Sequence, residues 1–296
     1  MKEYKIITDS CCDFTLAQAK KLDVAVMPME VILDDGTKYS GFDTDLTAFY
    51  KKLREKHTAQ TSAVNLNTCL ETFETYLKQG MDIIYVGLSA GISGTYGTCK
   101  IAASELSAKY PDQKIYLVNS HTGSIGQGLL IYLAVQKKRE GASCHDVYAY
   151  LKDLRKRIQT HFTLNDLFFL KRGGRISPAT AILGSVLNLK PLLHASKEGT
   201  LTVIGKARGR RNALLSLVDA MGALMRDPTG TTVAIGHTDC PDDADFLRTM
   251  ILARWNVKEI LVSEMGTTIG SHCGPDTVAL FFLADPDMIP EENEKA

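Results

Sequence analysis

Residues 88–96 form a short stretch of hydroxyl-bearing side chains and glycines with the composition of an anion-binding turn. The stretch follows an apolar run at 83–86, which predicts a buried strand, and precedes a segment at 98–109 with the pattern of a helix. The first turn of a helix leaves backbone N–H groups unpaired and carries a partial positive charge, so it attracts anions. Additional hydroxyl donors come from Ser89, Ser93 and Thr95. We therefore predict a site for a small anionic group such as a carboxylate, with helix capping alone as the alternative.

The positions of the glycines and of the residues after them argue against nucleotide binding at two loops. No Gly-Lys-Ser or Gly-Lys-Thr ending follows the glycines of 88–96, so this stretch is not a P-loop. A second loop, at 119–128, has glycines in the order G-x-x-G-x-G rather than G-x-G-x-x-G. No acidic residue follows a second strand there at the distance of a dinucleotide fingerprint. We therefore discount nucleotide binding at both loops.

Two other polar segments also precede predicted helices. Thr61 and Ser62 lie in a polar hinge at N-cap positions, before a helix predicted at 68–78, so their hydroxyls either cap that helix or face a ligand. The polar cluster at residues 8–13 follows a predicted strand at 4–7. We interpret this cluster as the cap of the next helix, with contact to a ligand as the alternative.

Cationic residues are concentrated at two places in the second half of the chain. Arg175 follows paired glycines that end a helix predicted at 165–170. The densest positive cluster is at 206–211, and its arginines are Arg208, Arg210 and Arg211. Such a cluster is typically solvated surface, and the alternative is that it attracts a phosphate or an acidic partner.

Composition excludes several classes of protein. The chain has 296 residues, 45% of them hydrophobic, which is enough for two domains with sizeable cores. Lysine plus arginine and aspartate plus glutamate balance at 34 each, so no net charge favours nucleic acid. The seven cysteines include no Cys-x-x-Cys pair and no evident metal cluster, which predicts reduced thiols. No signal peptide or membrane span is evident, and we expect a cytoplasmic protein.

The order of the predicted elements indicates an α/β fold in two parts. Two successive strand–loop–helix units in the first half predict a parallel sheet with helices on both faces. The second half contains a hairpin at 187–204 whose second strand is 200–204, and further strands are predicted at 232–236, 259–262 and 277–283. A loop is expected at 266–275, and the chain ends in an acidic tail. This half is expected to be an α+β domain, an α/β sandwich. We place the boundary near Gln159, giving domains 1–159 and 160–296.

Several of these segments together resemble the DegV family, whose characterised members bind fatty acids. Some members, called FakB proteins, present the bound acid to a fatty acid kinase. Each segment is weak alone, but together they occur in the family's order over nearly the whole chain. The matching segments are residues 8–10 with Asp13, 61–62, 92–96, 173–176, 190–191, 206–209 and 269–275.

The resemblance implies that an acyl chain lies between two α/β domains. The fatty acid carboxylate would be bound by Thr61, Ser62, Ser93, Gly94 and His272. Arg175 would lie at the pocket mouth, and Arg208 would lie there or dock the partner. The ligand would be a long-chain fatty acid such as palmitate or oleate, with no other cofactor and no metal. A partner kinase would perform the phosphorylation to acyl phosphate, and the carrier would contact membranes transiently.

The chain departs from the family pattern at three places. Ala63 and Val64 stand where Gln-Pro usually follows the Thr-Ser pair, which affects the pocket entrance or the preferred chain length. Asn119 replaces a common Asp, and Asp276 replaces a common Gly. The last two changes affect fine loop geometry.

Two other functions compete with the carrier. A serine hydrolase acting on a lipid ester would use Ser93 and His272, with Asp239 or Asp245 between them in the chain. However, the nucleophile elbow requires a glycine two places after the serine, and Thr95 stands there. A DNA-binding regulator is disfavoured by the neutral net charge and the lack of a recognisable helix-turn-helix.

Overall fold

The chain folds into three β-sheets with covering helices, in a computed structural model that describes residues 2–42, 44–165, 167–177 and 188–290. In chain order, the strands within these residues are β1 (Tyr4–Asp9), β2 (Val24–Met27), β3 (Glu30–Leu33), β4 (Lys38–Ser40), β5 (Ala59–Thr61), β6 (Asp82–Gly87), β7 (Ile115–Asn119), β8 (Ile158–Thr163), β9 (Leu189–Ala195), β10 (Leu201–Arg208), β11 (Thr232–His237), β12 (Glu259–Glu264) and β13 (Val278–Leu283). The α-helices are α1 (Leu16–Leu22), α2 (Leu46–Arg54), α3 (Leu66–Leu77), α4 (Thr95–Lys109), α5 (Ser124–Arg139), α6 (Cys144–Arg157), α7 (Phe168–Arg172), α8 (Arg210–Leu224), α9 (Pro241–Arg254) and α10 (Thr267–Cys273).

A four-stranded sheet with the order β2-β1-β6-β7 organises the N-terminal part, and all its neighbouring strands are parallel. All six residues of β6 are buried, because helices cover both faces of the sheet. Ile83 and Tyr85 pack with α3 and α4, whereas Ile84 and Val86 pack with α5 and α6. The predicted parallel sheet with helices on both faces is confirmed.

A six-stranded mixed sheet with the order β10-β9-β8-β13-β11-β12 forms the C-terminal part. Its neighbours are antiparallel except for the parallel pair β11 and β12. Leu217 of α8 and Ile251 of α9 belong to the core on one face, with Val233 and Phe282 of the sheet. The predicted hairpin is the β9–β10 pair, and the predicted α+β character of this part is confirmed.

Helix α5 lies between the two sheets and packs on both. Its residues 124–131 are all buried, and it contacts β6 on one side and β11, β12 and β13 on the other. Gly126 makes the close approach possible, because a Cβ there would lie 2.3 Å from Phe281 Cδ1. Helix α6 ends at Arg157 and β8 begins at Ile158, yet one core runs through both parts. The division at residue 159 stays a prediction.

A small third sheet, β4-β3-β5, packs with α2 and α10. The polar hinge predicted before α3 is in part a strand, because β5 pairs with β3. The N-cap of α3 is Asn65, whose side chain accepts a hydrogen bond from the Thr68 N–H at 2.8 Å. Thr61 and Ser62 thus do not cap this helix, because the chain stays extended for several residues before it turns.

Three other elements differ from the sequence prediction. Residues 266–275, expected to be a loop, contain α10, and the helix predicted at 165–170 lies at Phe168–Arg172. The strand predicted at 200–204 extends to Arg208, because its pairing with β9 continues to Leu189. The cap of α1 is Thr15, which lies beyond the polar cluster at 8–13. Pro178, Leu187 and residues 291–296 of the acidic tail lie outside the described residues.

The seven cysteines are all free thiols, and five of them are buried. Burial raises the pKa of the Cys144 and Cys240 thiols to about 12, which keeps them protonated at neutral pH. No helix in the described part of the chain is long and apolar enough to cross a bilayer.

Substitution of Gly126 by alanine tests the contact between α5 and the C-terminal sheet. We expect Gly126→Ala to lower the free energy of unfolding by about 1–3 kcal/mol, since the new methyl group overlaps Phe281 and Thr122. Gly97→Ala in α4 is the matched control, because a Cβ there meets no atom within 4 Å. The control should be neutral or stabilising by up to about 1 kcal/mol, as alanine favours helix. Urea unfolding of both variants measures the difference, and equal stability would contradict the proposed packing.

Candidate functional site

The loop between β6 and α4, residues 88–94, is held by buried polar contacts to both halves of the chain. The Asp9 carboxylate, at the end of β1, accepts a hydrogen bond from the Leu88 N–H at 3.0 Å. The Ser89 hydroxyl donates to the Gly199 carbonyl, in the turn between β9 and β10, at 2.8 Å. These contacts fix the position of the serine that follows in the loop.

Ser93 lies at the N-terminus of α4, directly before the N-cap residue Gly94. Its hydroxyl oxygen accepts from the Thr95 N–H at 3.2 Å, and the hydroxyl donates to Thr95 Oγ1 at 3.0 Å. Helix α4 is fifteen residues long, and the positive end of its dipole is at its N-terminus, beside Ser93. Ser93 therefore bonds the N–H of the first residue of α4 and also lies where this helix end can attract an anion.

Helix α10 brings His272 next to Thr61, at the end of β5. The distance between Thr61 Oγ1 and His272 Nε2 is 2.9 Å. His272 Nδ1 is buried without a hydrogen-bond partner among the described residues, and a Cβ on Gly173 would lie 2.3 Å from it. Burial, together with the nearby Arg175 and Arg172, lowers the pKa of His272 to about 4. The imidazole is therefore neutral at neutral pH.

Arg175 follows α7 and reaches across to the loop between β6 and α4. Its Nε donates to the Ile92 carbonyl at 3.1 Å, and a terminal nitrogen donates to the Gly173 carbonyl. Burial lowers the pKa of this guanidinium, which nevertheless stays a cation at physiological pH. Arg175 thus places a positive charge beside Ser93.

Thr61, Ser93, Arg175 and His272 line one narrow cavity of about 50 Å³, here called the central cavity. An adjoining outer cavity of about 630 Å³ shares Ser93 and Arg175 with it and includes the exposed Gly94. The structure therefore brings together four of the residues that the sequence singled out. Gly94 lies at the outer side of the same site.

An apolar cavity of about 60 Å³ adjoins the central cavity on the side of the two sheets. The two cavities share four lining residues, which are Ile92, Leu201, Ile269 and Cys273. Phe162 of β8 and Phe281 of β13 complete the apolar wall. The site thus combines a polar end at helix α4 with an apolar end between the sheets.

Two of the predicted site residues lie elsewhere. Ser62 is exposed and is not among the residues that line the central cavity, although its N–H donates to the Glu30 carbonyl at 3.0 Å. Arg208 is exposed at the end of β10. Both roles stay predictions. Side chains alternate between the faces of an extended strand, so Thr61 and its neighbour do not share a direction.

Thr268 and Met29 also line the central cavity, and sequence reasoning did not select them. Thr268 lies in α10, one helical turn before His272, so the pattern i, i+4 would have found it once α10 was recognised. Met29 lies between β2 and β3 and has no chemical signature in the sequence.

Asp13 is a buried carboxylate that joins segments from three parts of the chain. One carboxylate oxygen accepts from the Gly266 N–H, the N-cap of α10, at 2.9 Å, and the other accepts from the Ser124 hydroxyl at 2.6 Å. The Ser263 hydroxyl donates to the Asp13 carbonyl at 2.5 Å. Burial raises the pKa of Asp13 to about 7. The cap interpretation of residues 8–13 missed this role because the partners lie far along the chain.

The groups around the central cavity suit an anion attached to an apolar group. Hydroxyls, a neutral imidazole and a guanidinium line it, and no carboxylate does so among the described residues. Those residues also contain no group of three or more His, Cys, Asp or Glu that could hold a metal. A buried carboxylate needs hydrogen bonds or an opposite charge, and this cavity offers both.

The fold and its cavities define an α/β protein with a parallel and a mixed sheet, and a polar site that opens onto an apolar space between them. The family model described as "Uncharacterised protein, DegV family" matches residues 3–285. This match covers nearly the whole chain. The chain belongs to the DegV family.

Relatives and solved structures agree with this membership. A DegV domain-containing protein of Clostridium perfringens is 40% identical over 287 residues, covering 96% of this chain and 99% of the relative. A fatty-acid-binding DegV family protein from Thermus thermophilus superimposes with a TM-score of 0.87 at 30% identity, covering 96% of this chain and 100% of that one. A fatty-acid-binding DegV family protein from Streptococcus agalactiae gives 0.84 at 26% identity, covering 96% and 100%.

Replacement of Asp13 by asparagine tests its buried carboxylate. The folded state raises this pKa from 3.8 to about 7, so folding favours the protonated form. The stability associated with this proton is present at low pH and is lost as the pH rises from about 4 to 7. We expect the wild type to lose stability relative to Asp13→Asn between pH 5 and 7, by roughly 1 kcal/mol per pH unit.

Urea unfolding of both proteins at several pH values measures this difference. Groups such as His161 and His272, whose pKa values are lowered in the folded state, make stability change with pH in the opposite direction. Their contribution is the same in both proteins, so it cancels in the difference between the two free energies of unfolding. A constant difference between the two proteins from pH 5 to 8 would show that Asp13 titrates in the ordinary range.

Proposed function

We propose that this protein binds a long-chain fatty acid, such as palmitate or oleate, with the carboxylate in the central cavity. The observation that carries the proposal is the convergence of Thr61, Ser93 and His272 on a cavity that continues into an apolar one. The ligand would be held by this chain without any other cofactor. The fatty acid binding described for the Thermus thermophilus and Streptococcus agalactiae proteins supports this ligand class.

The energetic basis of the proposal differs between the two ends of the ligand. At the polar end, the carboxylate accepts from the Thr61 and Ser93 hydroxyls, while Arg175 and the start of α4 supply positive charge. In the tautomer with a hydrogen on Nε2, His272 donates to Thr61 Oγ1 at 2.9 Å, which leaves the Thr61 hydroxyl hydrogen for the carboxylate. At the apolar end, each buried methylene contributes about 0.8 kcal/mol, so the tail supplies most of the affinity. The apolar cavity would have to widen to admit a long tail.

The finer part of the proposal is that the protein is a carrier. It presents the carboxylate at the outer cavity to a fatty acid kinase, which phosphorylates it to acyl phosphate for phospholipid synthesis. Lys171 and Arg175 line this cavity and would attract the phosphate groups of the compound from which the kinase transfers phosphate. We further propose that this occurs in the cytoplasm, with transient membrane contact when the acid is collected.

The serine hydrolase alternative receives less support from the geometry. The Ser93 hydroxyl donates to Thr95, and His272 Nε2 is paired with Thr61, so no Ser93–His272 bond is present among the described residues. Asp239 pairs with Arg54, and Asp245 pairs with Arg248, away from the imidazole. Labelling of Ser93 by a fluorophosphonate probe would favour the hydrolase over the carrier.

Lipid binding by purified protein tests the main proposal. We expect extracts of the protein to contain fatty acid, and we expect the delipidated protein to bind oleate in native mass spectrometry. Thr61→Val should weaken oleate binding about ten-fold, since a lost hydrogen bond to a charged group costs about 1.5–3 kcal/mol. Ser62→Ala should have less than a two-fold effect, because its hydroxyl lies outside the central cavity.

The two variants separate the proposal from its alternatives. An equal loss of affinity in both would place Ser62 in the site. An empty protein that takes up neither palmitate nor oleate would overturn the fatty acid proposal.

Arg208→Ala tests partner docking without disturbing the fold. The side chains of two neighbouring arginines have structural contacts, since Arg210 bonds Asp243 at 2.8 Å and Arg211 lies over the Phe246 ring. The contacts of Arg208 are those of its backbone, which pairs with β9 and accepts a hydrogen bond from the Asn212 side chain at 2.9 Å. We expect Arg208→Ala to slow acyl phosphate formation by the fatty acid kinase of the same organism about ten-fold, with oleate affinity unchanged. Arg248→Ala, another exposed arginine, is the control. Equal rates for both variants would contradict docking at Arg208.

A further inference from the structure

A further cavity, of about 830 Å³, lies between the end of α6, the start of β8 and residues 286–290. We call it the α6 cavity. Among the described residues it shares no lining residue with the central, outer or apolar cavity. The proposed fatty acid function leaves it without a role, and its wall combines a cationic side with an apolar side.

Positive charge exceeds negative charge around the α6 cavity. The cationic side chains in its wall are Arg155, Lys156, Arg157 and Lys197. The acidic ones are Asp153 and Asp287, and Asp287 is already paired with Arg226. The cavity therefore favours an anion over a cation.

Two buried nitrogen atoms of this wall have no hydrogen-bond partner within the described part of the chain. They are Arg155 Nε and His161 Nε2. The His161 side chain belongs to a residue that is only 6% exposed. A guanidinium Nε carries a hydrogen at all physiological pH values, so it always requires an acceptor. Buried polar atoms without a partner are rare, and two in one cavity point to an absent acceptor.

His161 is a neutral donor rather than a second cation. Burial and the neighbouring His194 lower its pKa to about 4, so the imidazole carries no charge at neutral pH. Its ring stacks on Phe282 at a centroid distance of 5.7 Å, which fixes the direction of the ring nitrogens. In one of the two neutral tautomers the imidazole carries its hydrogen on Nε2, and this N–H can donate to an acceptor oxygen.

Apolar side chains also line the α6 cavity. Ile158, Ile204, Leu224 and Ile289 line it, and Ile204 is 51% exposed. A bare inorganic ion would leave this surface in water. The wall therefore suits a molecule with an anionic end and an apolar end.

We propose that the α6 cavity binds a small organic anion that carries an apolar group. The anionic oxygens accept hydrogen bonds from Arg155 Nε and His161 Nε2, and the apolar group packs against Ile204 and Leu224. This proposal is independent of fatty acid binding in the central cavity.

Calorimetric titration with phenyl phosphate tests the proposal, with phenol as the neutral probe. We expect saturable binding of phenyl phosphate that is at least ten-fold tighter than that of phenol. Arg155→Gln should weaken the binding of phenyl phosphate at least ten-fold. Lys152→Gln removes a charge from the same helix at an exposed position outside the cavity, and should change the affinity less than two-fold. Thr61→Val should also leave it unchanged, which separates the α6 cavity from the central one.

The imidazole nitrogen signals give a second readout that needs no Arg155 variant. In the wild type, phenyl phosphate should shift the ¹⁵N signals of His161 more than those of His272. Absence of saturable binding, an equal loss of affinity in Lys152→Gln, or a shift confined to His272 would each overturn the proposal.

Discussion

The burial of α5 between two sheets is the constraint on which the rest of the structure depends. A helix that is apolar on most of its surface cannot face water, and residues 124–131 find partners on both sides. Because the parallel and the mixed sheet pack on the same helix, their positions relative to each other are fixed. The loops at the carboxyl ends of β6 and β7 and the start of α10 then meet in one region.

Polar contacts reinforce this arrangement where the segments that carry the site meet. Asp13 accepts hydrogen bonds from the start of α5 and the start of α10, and the Tyr50 hydroxyl donates to the Met265 carbonyl at 2.5 Å. Buried hydrogen bonds depend on direction, whereas apolar packing tolerates small shifts. The position of His272 relative to Thr61 therefore depends on residues that do not line the central cavity.

Among the residues that the structure describes, the central cavity contains no buried ion pair. His272 is neutral, the Ser93 hydroxyl bonds Thr95 at the start of α4, and Arg175 donates to the Ile92 carbonyl at the edge of the cavity. A fully buried cation would have a high desolvation cost in the absence of an anion. Hydroxyls, a helix end and a cation at the edge avoid this cost, which suits the proposed binding and release of a carboxylate.

The sequence by itself determined the fold class, the parallel sheet and the β9–β10 hairpin, and it predicted an anion site at residues 88–96. These features arise from local signals, such as apolar runs, glycine turns and helix starts, which neighbouring residues carry. The ordered DegV segments also identified the family. Tertiary structure alone decided that Thr61 ends a strand, that α10 exists, and that Asp13 joins α5 to α10. Thr61 ends a strand because β5 pairs with β3, and Asp13 and His272 contact groups more than a hundred residues away. The pairing of groups from separate segments leaves no periodic pattern in the chain.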